Sequence, residues 1–383
     1  MPDPRNSRRP GNVRAWVAAV AAALVVGGGV AAAAVTLLPS RPAMSAGGVH
    51  ATPTQSTRPA VSYTATSADS QSGSPSVPPP PTNSPSPSQT AIAMHAHWTY
   101  PVPIDQDAYN NNEAQLNAVS CVTALTCYAV DNQADILAST SENSWSVVNT
   151  FDGDSNLTAI SCATASFCVA IDSSDAIVLS GGDWNDPVTI DSSNRLNDVS
   201  CPTTTFCIAV DNEGEGYVFK GSITRWSPVS IDSNQDNLTG VSCPDPTFCV
   251  VVDDNGNAYT YQHGSWNQQG TNIDDGNGLS GVTCASESFC VALDDNGNPA
   301  IMTDGNWSTY TYSGKIQSVS CPANGYCIAV DDNGGVIYYR NEAWTGTTKI
   351  DGNNSFASID CVAQDACVAV DQDDNVLYYT TSG

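Results

Sequence analysis

The chain has 383 residues and a formal net charge of −27, from 39 acidic and 12 basic side chains. The excess is concentrated after residue 97, where 37 acidic residues stand against six basic ones. A surface with this charge repels nucleic acid and anionic lipid, so neither is expected as a ligand, and it attracts cations and basic partners.

Three N-terminal segments differ in composition from the rest of the chain. Residues 1–14 are polar with four arginines, residues 15–38 form an uncharged run of 24, and residues 39–95 are rich in Pro, Ser and Thr. As a helix, the uncharged run would span about 36 Å, enough to cross a hydrocarbon core of about 30 Å. The preceding arginines predict a cytoplasmic N-terminus, so the run is read as a signal anchor in the cell membrane with the following chain outside. A cleaved signal peptide, which would give a secreted protein, is the alternative.

The segment 39–95 has few large apolar residues and cannot bury a core. It is predicted to be a disordered, partly polyproline linker. The linker leads to a domain that fills residues 96–383.

One sequence pattern recurs seven times in this domain. Its clearest copy runs from Leu196 to Asp211 and reads L-x-x-V-S-C-x5-C-x-A-V-D. The cysteine pairs of the copies are Cys121 and Cys127, Cys162 and Cys168, Cys201 and Cys207, Cys243 and Cys249, Cys284 and Cys290, Cys321 and Cys327, and Cys361 and Cys367. The accompanying tryptophans are Trp98, Trp145, Trp184, Trp226, Trp266, Trp307 and Trp344. A repeat of about 40 residues indicates one supersecondary unit per copy.

Each copy is predicted to form four short strands separated by turn residues. In the third copy, the first strand (Leu196 to Cys201) has one small polar face, which suits crowding around a central channel. The second strand (Cys207 to Asp211) is apolar on both faces, as expected of a sheet packed between two others. Seven such units predict an all-β, seven-bladed β-propeller of four-stranded antiparallel blades. The last copy lacks a tryptophan strand, so the N-terminal strand at Trp98 is predicted to complete it and close the ring.

The chain resembles the propeller-repeat proteins that actinobacteria export, whose blades carry a V-S-C-P-x4-C-x-A-V signature. The signature is matched with its proline at Cys201-Pro202, Cys243-Pro244 and Cys321-Pro322, and the other copies lack the proline. The resemblance covers residues 98–383 and implies a propeller fold and an exported location. It implies no settled activity, so no catalytic residue is carried over.

The recurring cysteines and tryptophans are predicted to be structural. A zinc site would need four converging ligands, commonly two C-x2-C pairs, whereas each C-x5-C pair stands alone in its copy. An exported domain meets an oxidising compartment, so each pair is predicted to form a disulfide within its blade, worth roughly 2 kcal/mol. Tryptophan faces also stack on sugars, but recurrence at one position in every blade favours packing anchors over a lectin site.

Two series of aspartates recur, one ending the second strand and one following the tryptophan strand. The first series is Asp131, Asp172, Asp211, Asp253, Asp294, Asp331 and Asp371; the second is Asp105, Asp152, Asp191, Asp232, Asp274 and Asp351. In an antiparallel blade both positions emerge on the face opposite the disulfides. Turn chemistry is one explanation, because Asp bonds its own backbone. The first series is also the candidate ligand-binding set, and Asp371 with Asp373 is a candidate Ca²⁺ site outside any EF-hand pattern.

The composition favours a binding protein over an enzyme. A sialidase-like propeller needs an arginine cluster, and the repeats hold three arginines in all. A glycoside hydrolase is less favoured, because an active site breaks symmetry and this repeat is regular. We therefore expect a membrane-tethered extracellular module that recognises a protein, a glycan or a cell-wall component through its acidic loop face, without a cofactor. A structural or sensory ectodomain is the alternative, and the blade of Trp307, which lacks the second aspartate, departs furthest from the repeat.

Overall fold

The computed structural model describes residues 96–104, 114–141, 144–151, 156–274 and 276–380. Every regular element among them is a β-strand. No helix in these ranges is long and apolar enough to cross a bilayer. The predicted signal anchor at 15–38 and linker at 39–95 lie outside the described residues.

The strands form seven antiparallel sheets, each with an inner, a second, a third and an outer strand. The inner strands are β3 (Leu116–Thr123), β7 (Ala159–Thr164), β12 (Leu196–Thr203), β16 (Leu238–Asp245), β21 (Leu279–Ser286), β25 (Ile316–Ala323) and β30 (Phe356–Ala363). The second strands are β4 (Thr126–Asp131), β8 (Phe167–Ile171), β13 (Phe206–Asp211), β17 (Phe248–Asp253), β22 (Phe289–Asp294), β26 (Tyr326–Asp331) and β31 (Ala366–Asp371). The third strands are β5 (Asp135–Ser141), β9 (Asp175–Ser180), β14 (Glu215–Phe219), β18 (Asn257–Gln262), β23 (Pro299–Thr303), β27 (Gly335–Arg340) and β32 (Asn375–Thr380). We number the sheets as blades 1 to 7 in this order.

The outer strands are continuous in three blades and interrupted in four. The continuous ones are β6 (Ser144–Thr150), β15 (Trp226–Ser230) and β24 (Asn306–Thr309). The interrupted ones are β1 (His97–Trp98) with β2 (Val102–Pro103), β10 (Asp183–Trp184) with β11 (Val188–Thr189), β19 (Ser265–Trp266) with β20 (Thr271–Asn272), and β28 (Ala343–Trp344) with β29 (Thr348–Lys349). Pro101 and Pro187 lie in two of the interruptions, where a residue without an N–H cannot continue the ladder.

The N-terminal strand closes the ring, as predicted. β1 and β2 pair with β32, with His97 opposite Thr380 and Val102 opposite Val376. Blade 7 thus takes three strands from the C-terminal end of the described chain and its outer strand from the N-terminal end. The two ends of the described domain therefore pair with each other, and the third strand of blade 7, β32, has a partner on its outer side.

The core lies between the blades. In blade 3, Ile208 and Val210 pack toward blade 4, while Cys207 and Ala209 pack toward blade 2, and all four side chains are buried. Equivalent clusters of buried side chains join every blade to the next, including blade 7 to blade 1. The two apolar faces of the second strand are explained by this arrangement, because each sheet is covered on both sides.

The inner strands are tied together by a ring of hydrogen bonds. The residue before the first cysteine of a blade accepts the backbone N–H of the first cysteine of the next blade. Among the described residues this bond forms at six of the seven steps, over 2.7–3.0 Å, from Cys162 to Ser120, Cys201 to Ser161, Cys243 to Ser200, Cys284 to Ser242, Cys361 to Ser320 and Cys121 to Asp360. The recurring Ser or Asp therefore has a structural role, because it gives an acceptor to a backbone N–H of the neighbouring inner strand.

Candidate functional site: the acidic face

The first aspartate series and the described members of the second lie at the same end of the blades. Antiparallel pairing puts the end of each second strand beside the start of the inner strand, as Leu196 opposite Asp211 illustrates. The third strand begins and the outer strand ends at this same edge, with Glu215 opposite Ser230. The turns after the disulfide-bonded cysteines lie at the other edge. We call the two edges the acidic face and the disulfide face.

All seven predicted disulfides are confirmed, and each links the inner strand to the second strand of one blade. The bridges join Cys121 to Cys127, Cys162 to Cys168, Cys201 to Cys207, Cys243 to Cys249, Cys284 to Cys290, Cys321 to Cys327 and Cys361 to Cys367. No cysteine of the described chain is free. The second cysteine of each pair is buried with at most 2% exposure, so these sulfurs belong to the core and are closed to a metal or a ligand.

The seven tryptophans are half-buried. Four of them pack on an aromatic side chain of the third strand of their own blade, namely Trp98, Trp226, Trp266 and Trp344. Trp266 packs on Tyr261 in this way, with ring centroids 5.3 Å apart. The indole N–H of Trp145 also donates to the Tyr378 hydroxyl of the neighbouring blade over 2.7 Å. These contacts are those of packing anchors.

The first aspartate series is buried, with at most 6% of any side chain exposed. One carboxylate oxygen of each accepts the backbone N–H two residues further on, over 2.8–3.0 Å. The same oxygen accepts a second N–H three or four residues further on, over 2.6–2.8 Å. These aspartates therefore organise the turn between the second and third strands, and any ligand would meet them only through that turn.

Asp253 shows how fully both oxygens of such a carboxylate are occupied by hydrogen-bond donors. Oδ1 accepts the N–H groups of Asn255 and Asn257, and Oδ2 accepts the Asn257 side-chain amide and the Tyr259 hydroxyl, each of these last two over 2.8 Å. Burial and this bond to Asp253 raise the pKa of Tyr259 well above its ordinary value. Gly256 completes the turn with φ 84°, a conformation that favours glycine.

The second series lies where the outer strand of one blade meets the next blade. Asp191, Asp232 and Asp351 are buried, with 5%, 1% and 2% exposure, and Asp274 is half-buried. Asp191 and Asp232 accept N–H groups of their own loops, such as Ser193 over 2.8 Å. Asp105 and Asp152 lie outside the described residues.

Blade 5 lacks this second aspartate and has Tyr312 nearby instead. Its backbone N–H donates to Oδ1 of Asn298 over 2.9 Å, and its hydroxyl contacts the Thr347 hydroxyl of blade 6. Burial raises the pKa of Tyr312. The deviation noted in the sequence thus replaces a carboxylate by a phenol at the boundary between blades 5 and 6.

The predicted calcium ligands differ in their surroundings. Asp371 is fully buried and accepts amide N–H groups on both carboxylate oxygens, from Asp373 and Asn375 on Oδ1 and from Asn354 and Asn375 on Oδ2. Asp373 is exposed. Within the described ranges, no three His, Cys, Asp or Glu side chains are grouped so that they could hold a metal ion. Calcium binding here stays a prediction.

Three turns of this face carry an exposed carboxylate at the residue after the buried aspartate, in addition to exposed Glu213 and Asp373 one residue further on in two other turns. Asp254, Asp295 and Asp332 follow the buried aspartates of blades 4, 5 and 6 and are all exposed. Blades 1, 2, 3 and 7 carry Asn132, Ser173, Asn212 and Gln372 at this position. Sequence reasoning passed over these residues because it followed what recurs. These three aspartates can be found in the sequence by comparing the seven blades at the position that follows the recurring aspartate.

Two further carboxylates, also missed from the sequence, belong to the inner strands. Asp198 Oδ2 accepts the Val241 N–H over 2.8 Å, and Asp360 Oδ2 accepts the Cys121 N–H over 2.7 Å. Burial raises the pKa of Asp198 to about 6 and also raises that of Asp360. Each carboxylate joins two neighbouring blades where other blades use serine or a small residue.

Comparison with known proteins identifies the fold. No known family model matches the chain, and no curated protein matches its sequence. A solved structure described as YCF48 bound to D1 peptide superposes with a TM-score of 0.60 at 13% identity, over 74% of this chain and 97% of the other. YCF48 from Cyanidioschyzon merolae gives 0.58 at 12% identity, over 74% and 98%. The WD40 beta propeller domain of Doa1 gives 0.59 at 12% identity, over 75% and 98%.

At these identities the likeness establishes a β-propeller and carries no information about the ligand. The described residues form a seven-bladed β-propeller of four-stranded blades, with one disulfide in each blade.

Proposed function

We propose that this chain is an exported, membrane-tethered β-propeller that binds a basic protein on its acidic face. The observation that carries the proposal is the row of exposed carboxylates at Asp254, Asp295 and Asp332, on three consecutive blades. A rigid ring holds these charges in fixed positions, so a partner with matching positive charges loses little conformational entropy of the propeller on binding. Opposite charge also speeds the encounter of the two partners.

Export and tethering are part of the same proposal. Seven disulfides support an oxidising compartment outside the cytoplasm. The uncharged run at 15–38 and its preceding arginines would anchor the chain, and the segment 39–95 would hold the propeller away from the membrane. Release by signal cleavage is the alternative location.

The solved propeller described as bound to D1 peptide gives a precedent for a peptide ligand on a ring of this fold. The precedent concerns that protein, and it comes to this chain only as support for a protein ligand. A glycan or an amine-bearing cell-wall polymer is the competing ligand for an acidic face. A structural or sensory ectodomain without such a ligand is the second candidate function, and the regularity of the seven blades favours it over an enzyme.

The test compares two variants that remove the same number of charges from opposite faces. The first carries Asp254→Asn, Asp295→Asn and Asp332→Asn on the acidic face. The second carries Glu287→Gln, Asp304→Asn and Asp365→Asn, which are exposed positions in turns of the disulfide face. Wild type and both variants, as full chains, serve as bait for solubilised envelope of the host, with bound protein and bound polysaccharide analysed separately.

Capture of a basic protein by wild type and the disulfide-face variant, but not by the acidic-face variant, is the expected result. Because exposed charges are screened, the capture should weaken as salt increases. Equal capture by all three would move the site off this row of carboxylates. Capture of polysaccharide alone would replace the protein ligand by a glycan, and no capture would favour the scaffold.

A further inference from the structure

A tyrosine side chain bridges the outer rim at two boundaries between blades. At the boundary of blades 6 and 7, the indole N–H of Trp98 donates to the Tyr338 hydroxyl over 3.0 Å. At the boundary of blades 7 and 1, Trp145 donates in the same way to Tyr378 over 2.7 Å. Each tyrosine belongs to the third strand of one blade and each tryptophan to the outer strand of the next. The phenol therefore joins the two blades and satisfies the indole N–H.

Two further groups hold the ring of Tyr338. Its centroid lies 5.9 Å from that of Tyr379, and the Tyr379 ring packs on Trp98 with a separation of 5.2 Å. The guanidinium carbon of Arg340 lies 5.6 Å from the centre of the Tyr338 ring, within the range of cation–π attraction. A tyrosine at this position is thus held by an indole N–H, a second aromatic ring and a cation.

The boundary of blades 3 and 4 keeps the cation but lacks the tyrosine. Counted from the paired second strand, Val218 of blade 3 takes the position that Tyr338 has in blade 6. Lys220 follows two residues later, where blade 6 has Arg340. Valine is shorter than tyrosine and has no hydroxyl to offer to the next blade.

The aromatic groups of this boundary are retained as well. Trp266 packs on Tyr261 with ring centroids 5.3 Å apart, as Trp98 packs on Tyr379. The Trp266 N–H makes no hydrogen bond to another described residue. Blade 4 therefore presents the same donor and the same ring as blade 7, without a phenol between them and blade 3.

A surface groove of about 530 Å³ lies where the tyrosine is missing, and Val218, Lys220, Tyr261 and Trp266 line it. Sites for small ligands have volumes of about 300–1,000 Å³. The wall on the side of blade 3 is formed by β15, which is the last strand of its sheet, so one edge of β15 pairs with no strand of the described chain. An unpaired strand edge is a surface along which an extended peptide can lie.

Other boundaries lack one or more of these groups. A second groove, between blades 4 and 5, has Gln262 at the position of the cation and Met302 at that of the second ring. At the boundaries of blades 2 and 3 and of blades 5 and 6, the N–H groups of Trp226 and Trp344 are buried without a partner, so a ligand cannot reach them from the surface.

We propose that the groove between blades 3 and 4 binds a tyrosine side chain of a partner peptide. The hydroxyl accepts the Trp266 N–H, the ring packs on Tyr261, and Lys220 supplies the cation that Arg340 supplies to Tyr338. The peptide backbone runs along the free edge of β15. This site shares no residue with the exposed carboxylates of the acidic face, so its test is independent of the function proposed above.

The test measures binding to the full chain by NMR of the indole N–H groups, with isotope-labelled tryptophan. The probes are an acetylated pentapeptide with a central tyrosine between serines, the same peptide with phenylalanine, free p-cresol, and a chitin oligosaccharide. Val218→Tyr fills the groove, and Tyr338→Val opens an equivalent one between blades 6 and 7. Lys220→Gln removes the cation, and Lys315→Gln, at an exposed position of another blade, is its matched control. Trp266→Phe identifies the Trp266 resonance by its absence.

We expect the tyrosine peptide to shift the Trp266 resonance and the phenylalanine peptide to bind about two- to tenfold more weakly, because it lacks one hydrogen bond. Lys220→Gln should weaken binding about two- to fivefold, and Lys315→Gln should leave it unchanged. Val218→Tyr should abolish binding. Tyr338→Val should bind a second peptide, with a shift of the Trp98 resonance.

Four outcomes would overturn the proposal. They are no shift of the Trp266 resonance at millimolar peptide, equal affinity for the two peptides, unchanged binding in Val218→Tyr, and a shift with the oligosaccharide alone, which would make the groove a glycan site. Binding of p-cresol as tight as that of the tyrosine peptide would replace the peptide by a free phenol. If Val218→Tyr does not fold, the two peptides and Lys220→Gln against Lys315→Gln still decide between these outcomes.

Discussion

Replacing Asp253 by alanine tests whether the recurring aspartates hold the turns together. The change removes the acceptor for two backbone N–H groups, one side-chain amide and the Tyr259 hydroxyl, at a position with no exposed surface. Hydrogen bonds to a charged acceptor contribute about 1.5–3 kcal/mol each. The four losses do not add fully, because some donors find water or one another, so we expect a loss of about 4 kcal/mol in the free energy of unfolding. Asp253→Asn keeps the shape of the side chain but places its own NH₂ group against two donors, the Asn257 amide and the Tyr259 hydroxyl. This variant should lower the free energy of unfolding by about 2 kcal/mol.

The assay is equilibrium unfolding in guanidinium chloride with the disulfides intact, followed by tryptophan fluorescence. Asp254→Asn is the matched control, since this neighbour is exposed and should change the free energy of unfolding by less than about 0.5 kcal/mol. A loss below about 1 kcal/mol in Asp253→Ala, less than one such hydrogen bond, would refute the structural role. The carboxylate would then be free for a ligand, and the first aspartate series would regain its place as the binding set.

Three other predictions concern the hydrogen bonds between inner strands, a turn glycine and a buried carboxylate of an inner strand. Ser320→Ala removes the acceptor for the first cysteine N–H of the next blade and should cost about 1–2 kcal/mol in the same unfolding assay. Gly334→Ala should lower the thermal midpoint by several degrees, because Gly334 has φ 74° and an added Cβ would lie 2.3 Å from the Asp351 carbonyl oxygen; Gly346→Ala, with open space around it, should not. Asp198 has its pKa raised to about 6 by burial, so its contribution to stability falls as the pH rises from about 4 through 6, and Asp198→Asn should flatten the thermal midpoint over that interval.

The sequence predicted the disulfides and the closure of the ring well, because both depend on residue spacings within a repeat. The cysteine spacing placed both members of each disulfide on adjacent strands, as with Cys361 and Cys367, and the missing tryptophan strand of the last copy led directly to the pairing of Trp98 with Tyr379. Burial of the aspartates was not predictable in the same way. An aspartate that begins a turn has the same local sequence whether it is exposed or buried. One donor to buried Asp371 is the side-chain amide of Asn354, which the loop entering the blade contributes.

The polar residues that recur in every blade are not the ones that we propose to bind a ligand, and there is a physical reason for this difference. A polar group that recurs in every blade meets a requirement that every blade shares. Here those requirements are a turn to be organised and an inner-strand N–H that needs an acceptor. The buried aspartates and the serine or aspartate before the first cysteine of six blades meet them and have little bonding capacity left for a ligand. A ligand that recognises one direction on a sevenfold ring needs positions where the blades differ. Asp254 in blade 4 and Ser173 in blade 2 occupy equivalent turn positions and differ in charge, which is why we place the binding surface on blades 4 to 6.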